Sequence, residues 1–165
     1  MEERIECFEP VAAPDARLLI LGTMPSVESL RQSFYYSHPR NAFWPVMAKV
    51  LGEDVPDTAE AKTRMLIRHR IALWDVVNSC VRPGSLDSDI RDARANDFEM
   101  LFGRCPGIEK ILFNGAAAEN LYMKKVGAMP KGCLWARMPS TSPAYTLRFE
   151  NKLAAWRDGM EGHYD

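Results

Sequence analysis

Short apolar runs alternate with longer amphipathic segments along most of the chain. Each run is followed by glycine, proline or polar residues such as asparagine. The segments between runs carry apolar residues at helical spacing. Continuous apolar runs bounded by turn residues are typical of strands buried on both faces of a sheet. The pattern predicts an α/β fold, a three-layer αβα arrangement with a central four-stranded parallel sheet and right-handed crossovers. The four predicted strands cover residues 18–21, 71–77, 108–113 and 134–138.

Helical spacing and capping residues place the helices between these strands. Asp57 and Glu60 resemble a capping box, and Thr146 is the predicted cap of the last helix. Including their caps, the predicted helices cover about residues 41–51, 57–69, 97–104, 116–126 and 146–160. In the last helix four apolar residues share one face: Phe149, Leu153, Trp156 and Met160.

Three further stretches have neither pattern. Residues 1–16 are predicted to be an irregular lead-in, residues 78–96 a long polar loop, and residues 158–165 an acidic tail. Loops as long as the second are often functional. No linker or low-complexity segment divides the chain, so residues 1–165 are interpreted as a single domain.

The composition is that of an ordinary soluble protein. The chain has 165 residues, of which 47% are apolar and 26% are charged. No apolar run is long enough to span a bilayer, and residues 1–10 lack the apolar core of a secretory signal, so we expect a cytoplasmic protein with no membrane partner. The widely spaced cysteines form no Cys-x-x-Cys pair, which predicts reduced thiols and no bound metal or cofactor: Cys7, Cys80, Cys105 and Cys133.

Charge is distributed unevenly although the net charge is only −1. Residues 104–157 carry nine Lys and Arg residues against three Asp and Glu residues, whereas residues 1–103 carry 12 against 16. The later part of the chain is therefore a candidate basic face for a polyanion. Solvated helix surface is the alternative interpretation of the same clustering.

Residues 35–44, with the sequence YYSHPRNAFW, hold four aromatic residues beside His38, Arg40 and Asn41. A packing segment seldom carries this mixture, because buried polar groups cost free energy unless they find partners. The mixture suits a flat ligand with hydrogen-bonding edges. Such a ligand can stack on the rings, pair its edge with the amide and place an anionic group beside the cation. The alternative is a turn that opens a helix, with Asn41 as its N-cap and Phe43 in the core.

The other unusual segments follow the predicted strands. They are the turn GTMPS at residues 22–26, Asp75 with the loop behind it, Asn114 with Gly115, and PSTSPAY at residues 139–145. In an open parallel sheet, ligands bind beyond the carboxyl ends of the strands. The topology therefore predicts that these segments meet residues 35–44 at one end of the sheet.

Taken together, these segments resemble the uracil-DNA glycosylase superfamily, and within it the hypoxanthine (deoxyinosine) DNA glycosylase branch, over about residues 17–157. The most specific motifs are H-P-x-N-x-F-W at 38–44 and S-T-S-P-A at 140–144. The resemblance implies a monofunctional base excision repair enzyme that hydrolyses the bond between deoxyribose and a deaminated base in DNA. Hypoxanthine is the expected base, with uracil and xanthine as further candidates. Such an enzyme extrudes the base and breaks the bond through an oxocarbenium-like sugar.

The resemblance also implies roles for individual residues. Asn41 matches the catalytic asparagine, which positions the attacking water or contacts the base and sugar. The residues implied to bind the base are Thr23, Met24, Tyr36, Phe43 and Asn114. Those implied to contact DNA are Ser26, His38, Arg40, Ser140, Thr141, Ser142, Pro143, Ala144, Tyr145 and Arg148, with Arg137 as a further phosphate contact. Each also has a structural alternative as a cap, a turn, a core residue or a surface charge.

Two positions depart from the wider superfamily. Met24 occupies the slot where many members carry an Asp or Asn that activates water, and Ser140 stands where others carry a His that stabilises the leaving base. Without a carboxylate in that slot, catalysis by positioning and electrostatics is expected. His38 is a candidate replacement for the missing His, and for Asp75 a structural role is the preferred interpretation.

Two functions of other classes fit the same residues. A nucleoside or nucleotide hydrolase can use the same scaffold, since fold does not fix function. A module that binds damaged or single-stranded DNA without cleaving it would use the same rings and basic face. The preferred interpretation is a monomeric glycosylase whose partner is DNA that contains deaminated bases.

Overall fold

The computed structural model describes residues 3–165 and has a four-stranded, all-parallel sheet at its centre. Helices cover both faces of this sheet, so the predicted three-layer αβα fold is confirmed. In spatial order the strands are β3 (Ile71–Asp75), β2 (Leu18–Gly22), β6 (Lys110–Asn114) and β7 (Leu134–Met138). The helices are α1 (Val27–Gln32), α2 (Phe43–Leu51), α3 (Ala59–Arg68), α4 (Phe98–Arg104), α5 (Ala116–Lys125) and α6 (Phe149–Met160).

The strand order creates a crevice between β2 and β6. From β2 the chain crosses to β3 on one side, whereas β6 leads to β7 on the other side. The adjacent ends of two such strands form the topological switch point, where open α/β sheets bind ligands. Gly22 at the end of β2 lies opposite Asp75 of β3, and Leu21 lies opposite Phe113 of β6, so all three strands end at nearly the same level.

Consecutive residues of β6 show how the helices cover the sheet. Leu112 faces Gly159 of α6, and Phe113 contacts Tyr122 of α5 with ring centroids 5.3 Å apart. Neighbouring side chains of a strand point to opposite faces, so α6 and α5 lie on opposite sides. Helix α2 joins α6 through a contact between the Phe43 and Trp156 rings.

A second, antiparallel sheet corrects two predictions. Its strands are β1 (Arg4–Glu6), β4 (Val77–Val81) and β5 (Arg91–Ala95), in the order β1-β4-β5. The predicted irregular lead-in over residues 1–16 is therefore wrong for β1, while residues 1–2 lie outside the described part. The predicted loop over residues 78–96 is wrong as well, because β4 and β5 form a hairpin around a 3-10 helix at Asp87–Asp89. Strand β5 has the sequence RDARA and is mostly exposed, so no apolar run marks it.

Three predictions about the C-terminal region also need correction. Arg148, not Thr146, precedes the first turn of α6. Phe149 is exposed, and the buried face of this helix instead includes Lys152 beside Trp156 and Met160. The predicted tail over residues 158–165 begins inside α6, and its last residues pack back on the protein, where the Asp165 N–H donates to the His69 carbonyl (3.1 Å).

No helix within residues 3–165 has both the length and the apolar character needed to cross a bilayer. The cysteines are free; Cys80 and Cys105 are buried, and Cys7 and Cys133 are half-buried. Across the same residues, no three Cys, His, Asp or Glu side chains are grouped as metal ligands would be.

Candidate active site

A cavity of about 310 Å³ opens at the switch point between β2 and β6. Every segment that the sequence placed after a strand contributes to its wall, and so does the aromatic segment 35–44. The hairpin adds a further group of lining residues. The cavity is lined by residues 22–26, Ser29, Tyr35, Tyr36, Asn41, Asp75, residues 85–87, Asn114, residues 140–142, Ala144 and Tyr145.

The turn after β2 forms one wall. Its carbonyls remain tied to the start of the hairpin, since Gly22 accepts from the Val76 N–H (2.8 Å) and Thr23 from the Val77 N–H (3.0 Å). Ser26 caps α1 by accepting the Ser29 N–H. Thr23 and Met24, both implied to bind the base, are nearly buried in this wall.

Tyr36 supplies an aromatic surface at the wall of the cavity, which Tyr35 and Tyr145 also line. Its ring stacks on Phe43 with centroids 4.2 Å apart and planes 21° apart. Phe43 is fully buried behind it and does not line the cavity, so Tyr36 rather than Phe43 presents its ring there. Because Phe43 covers one face of the Tyr36 ring, a base can stack only on the other. Tyr36 adopts a left-handed φ of 53°, which costs about 1–2 kcal/mol for a non-glycine residue and therefore indicates a constrained placement.

Asn41 lies at the cavity wall just before α2. Its Oδ1 accepts the Phe43 N–H (2.9 Å), which satisfies a donor at the start of the helix. No acceptor in residues 3–165 binds its Nδ2, so the amide group is held in place while its donor end remains available to a ligand. The next residue, Ala42, donates its N–H to the Thr141 carbonyl (2.9 Å) and so joins this wall to the loop after β7.

Asn114, at the end of β6, holds the loop after β7 through two hydrogen bonds. The Asn114 Nδ2 donates to Thr141 Oγ1, and Asn114 Oδ1 accepts the Thr141 N–H, both at 3.0 Å. The Asn114 amide can form four hydrogen bonds, and two of them are made to the loop. One N–H and one lone pair remain for other partners at the cavity. Beneath the loop, the buried Lys152 ammonium donates to the Ser142 carbonyl (3.1 Å), which places a positive charge under the segment.

Within the loop, Ser140 and Ser142 each accept a backbone N–H two residues ahead, and both line the cavity with Thr141. Ala144 and Tyr145 form the exposed rim. These placements bring the loop, Tyr36 and Asn41 to one opening, as the sequence predicted.

Several implied DNA contacts lie outside the cavity. His38 is not among the lining residues, and its Nδ1 accepts the Arg40 N–H (3.1 Å) and closes the turn. Its replacement of the missing histidine stays a prediction. Arg40, Pro143 and Arg148 are exposed beyond the cavity, where they can meet only flanking DNA. Arg137 is paired with Glu119 (2.8 Å), which offsets the charge that a phosphate would need.

Two carboxylates line the cavity. Asp75, at the end of β3, is only 3% exposed, and Asp87 lies in the 3-10 helix of the hairpin, where Thr23 Oγ1 donates to it (3.4 Å). Burial raises the pKa of Asp75 to about 7; Asp87 adds to the shift, and Arg82 opposes it. The expected structural role of Asp75 does not account for this position.

The signals for these two residues were weak. Asp75 is the single charged residue in an otherwise apolar run, a pattern that can mark a ligand-facing strand end. Asp87 lies in the loop behind Asp75, which the sequence placed at this end of the sheet, but no pattern singled out Asp87 within that loop.

The raised pKa of Asp75 predicts a pH-dependent cost to stability. The carboxyl ionises near pH 4 when unfolded and near pH 7 when folded, so wild-type stability falls as pH rises between those values. We expect the free energy of unfolding of Asp75→Asn, relative to wild type, to increase by about 3 kcal/mol between pH 5 and pH 8. Urea unfolding across this range measures it, with Asp54→Asn on the surface as the control. A constant difference would contradict the buried, unpaired carboxyl.

Comparisons with known proteins agree with this geometry. A sequence model of the uracil DNA glycosylase superfamily matches residues 9–159. A relative from Methanosarcina acetivorans named hypoxanthine DNA glycosylase is 37% identical over 150 residues, 90% of this chain and 93% of the relative. One of the same name from Methanosarcina barkeri is 37% identical over 109 residues, 66% of this chain and 69% of the relative.

The fold comparison points the same way. A solution NMR structure of a candidate uracil DNA glycosylase from Methanosarcina acetivorans superposes with a TM-score of 0.76 and 34% identity. The superposition covers 94% of this chain and 98% of that chain.

Proposed function

This chain belongs to the uracil DNA glycosylase superfamily, and from that premise we propose that it removes deaminated bases, hypoxanthine foremost, from DNA. It is a DNA glycosylase, an enzyme that hydrolyses N-glycosyl bonds. The proposal concerns the base and the roles of the cavity residues. Its product would be an abasic site that base excision repair completes.

The observation that carries the proposal is the meeting of Tyr36, Asn41 and the loop 140–145 at one cavity. The cavity is within the range of small-ligand sites and combines one aromatic face with convergent polar groups. An extruded base needs that combination, since it is read by stacking and by hydrogen bonds to its edges. The loop at the opening carries hydroxyls and backbone N–H groups of the kind that contact DNA phosphates.

The roles follow from these positions. The base stacks on the open face of Tyr36 while the sugar stays at the mouth beside Asn41. The Asn41 Nδ2 donates to the attacking water or to the sugar and base, and its Oδ1 is fixed by the Phe43 N–H. As the bond between C1′ and the base breaks, the electron pair leaves with the base and the sugar becomes cationic. Water then adds to C1′, and its proton ends on the released base.

Hypoxanthine is proposed as the main base because both named relatives are hypoxanthine DNA glycosylases that match at 37% identity. Uracil and xanthine share its adjacent N–H and C=O groups, so we propose weaker activity on both. The free cysteines suit a reducing compartment, and we propose that the enzyme acts there as a cytoplasmic monomer.

Exposed arginines beside the opening provide a prediction about binding. The double variant Arg40→Ala, Arg148→Ala is expected to weaken binding to inosine-containing and undamaged duplexes alike, because each arginine neutralises a phosphate. The slope of log K against log salt should fall by about 2. Fluorescence anisotropy over a salt series measures this slope. Arg137→Ala is the matched control, since its charge is already paired with Glu119; an equal loss there would argue against the assigned face.

The function itself is tested by incubating the protein with duplexes that contain one inosine or one uracil, followed by heating in alkali. Scission at the inosine, with release of free hypoxanthine, is expected. Binding without scission would favour a damage-binding module, and turnover of free deoxyinosine without action on the duplex would favour a nucleoside hydrolase. Either result would overturn the proposal.

A further inference from the structure

We propose that Asp75 meets the extruded base as a neutral carboxylic acid and donates its hydrogen to the base carbonyl that lies farthest from the sugar. The inference rests on the proposed function, because it assigns a role within the same cavity. It gives the enzyme a hydrogen-bond donor for the leaving base, a task for which the sequence showed no candidate beyond His38.

The geometry at the cavity floor supports this role. A Cβ placed on Gly22 would lie 2.6 Å from Asp75 Oδ1 and 2.5 Å from the Tyr36 hydroxyl oxygen, so both polar groups border one space. Both groups pack directly against the Gly22 backbone, because this residue has no side chain to push them away. Asp75 Oδ2 is buried and has no hydrogen-bond partner within residues 3–165, and the buried Tyr36 hydroxyl lies beside the Asn114 amide.

An ionised carboxylate is costly in this environment. Buried charges are tolerated when they are paired or accept hydrogen bonds, and no donor within residues 3–165 reaches the buried Asp75 Oδ2. The neutral form removes this cost and turns the carboxyl into a donor with one remaining acceptor oxygen.

The titratable groups around Asp75 come from four elements. Arg82 follows β4, Asp87 lies in the 3-10 helix, Tyr35 and Tyr36 precede α2, and Cys7 follows β1. Arg82 is the one cation in this set, and its guanidinium donates to the backbone carbonyls of Pro25 (2.5 Å) and Gly84. Asp87 adds negative charge, so the surroundings favour a protonated Asp75.

The base enters with its sugar at the mouth, and the edge opposite the glycosidic bond therefore reaches the floor. For hypoxanthine that edge carries O6 and N1–H, which match the O–H and C=O of a carboxylic acid. When the bond from C1′ to N9 breaks, the electron pair enters the purine and part of the negative charge reaches O6. A donor at O6 stabilises that charge, whereas a carboxylate would repel it. Asp75 keeps its proton throughout, because water supplies the proton found on the released base.

Single-turnover excision from an inosine duplex between pH 5.5 and pH 9 tests the inference. The wild-type rate should fall about tenfold per pH unit above about pH 8, where Asp75 in the complex loses its proton. Asp75→Asn keeps one donor and one acceptor, so its rate at pH 6 should be within about tenfold of wild type and should not vary with pH. Asp75→Ala has no donor and should be about 100-fold slower at pH 6.

A second readout does not depend on turnover. The ¹³C signal of the Asp75 carboxyl can be titrated in the complex with a duplex that contains 2′-fluoro-deoxyinosine, whose glycosidic bond resists cleavage. The signal should remain that of the protonated acid up to about pH 8, because O6 stabilises this form. Ionisation below pH 6 in the complex would overturn the inference.

A failure of the proposed function and a failure of this inference about Asp75 give different experimental results. A wild-type enzyme that releases no base at any pH would overturn the proposed function together with this inference. An active wild type whose rate rises with pH, combined with an inactive Asp75→Asn, would overturn only the inference, since that behaviour belongs to an ionised base that activates water.

Discussion

Replacing Asn41 with alanine is expected to slow excision of hypoxanthine by about 100- to 1000-fold, the loss typical when a transition-state donor is removed. The Nδ2 of Asn41 is the donor at the mouth of the cavity that no other residue supplies in the same position. Loss of the Oδ1 bond to the Phe43 N–H should also lower the free energy of unfolding by about 1 kcal/mol. Single-turnover rates and urea unfolding measure the two effects separately.

Asn41→Asp separates chemistry from folding. Aspartate keeps the oxygen that accepts the Phe43 N–H, so stability should remain close to wild type. It replaces the N–H₂ donor with an acceptor, so excision should still be lost. Full turnover by a folded Asn41→Asp or Asn41→Ala enzyme would show that another residue performs this step.

Gly22→Ala is expected to abolish base binding at the cavity floor and to slow excision by at least about 100-fold. The new methyl group would lie within 2.6 Å of both Tyr36 and Asp75. Tyr36 cannot retreat because its ring is stacked on the buried Phe43, and Asp75 is fixed on the neighbouring strand. Overpacking of this kind should also cost about 1–3 kcal/mol of stability.

Gly103→Ala is the matched control, since its Cβ would meet nothing within 4 Å and it lies within α4. We expect it to leave excision unchanged and to raise stability slightly, because alanine favours helix. Affinity for a 2′-fluoro-deoxyinosine duplex, measured at a pH where the folded fraction is known, isolates the effect of Gly22→Ala on binding. Wild-type affinity in that variant would mean that the base does not reach the floor.

The central sheet was predictable because its strands are buried on both faces. Such strands are apolar throughout, and runs such as residues 18–21 stand out from the amphipathic helices around them. Parallel strands end at a common edge, so the sequence also predicted that Asn114 and the loop 140–145 would meet residues 35–44.

The second sheet was not predictable by the same pattern. Strand β5 pairs with β4 through backbone hydrogen bonds, while its arginines and aspartate face solvent. An exposed strand can pair through its backbone without having an apolar pattern of side chains, so hydropathy does not reveal it. As a result, the sequence placed the loop behind Asp75 at this end of the sheet but indicated neither its hairpin nor the position of Asp87 within it.

Detailed roles within the aromatic segment depended on backbone geometry. Tyr36 and Phe43 were both candidates for stacking, and the structure places the Tyr36 ring, on a left-handed backbone, at the cavity and the Phe43 ring behind it. Asp75 looked structural because a single acid at a strand end is commonly hydrogen-bonded. Its missing donors became apparent only once the strands around it were placed.

The central claim is that an extruded base occupies the cavity between Asn41, Tyr36 and the loop 140–145. The most direct test is NMR of the Asn41 and Asn114 side-chain amides with a 2′-fluoro-deoxyinosine duplex and with an undamaged duplex of the same sequence. We expect large shifts of both amides with the modified duplex and small ones with the undamaged duplex. Equal shifts with both, or changes confined to residues outside the cavity, would contradict it.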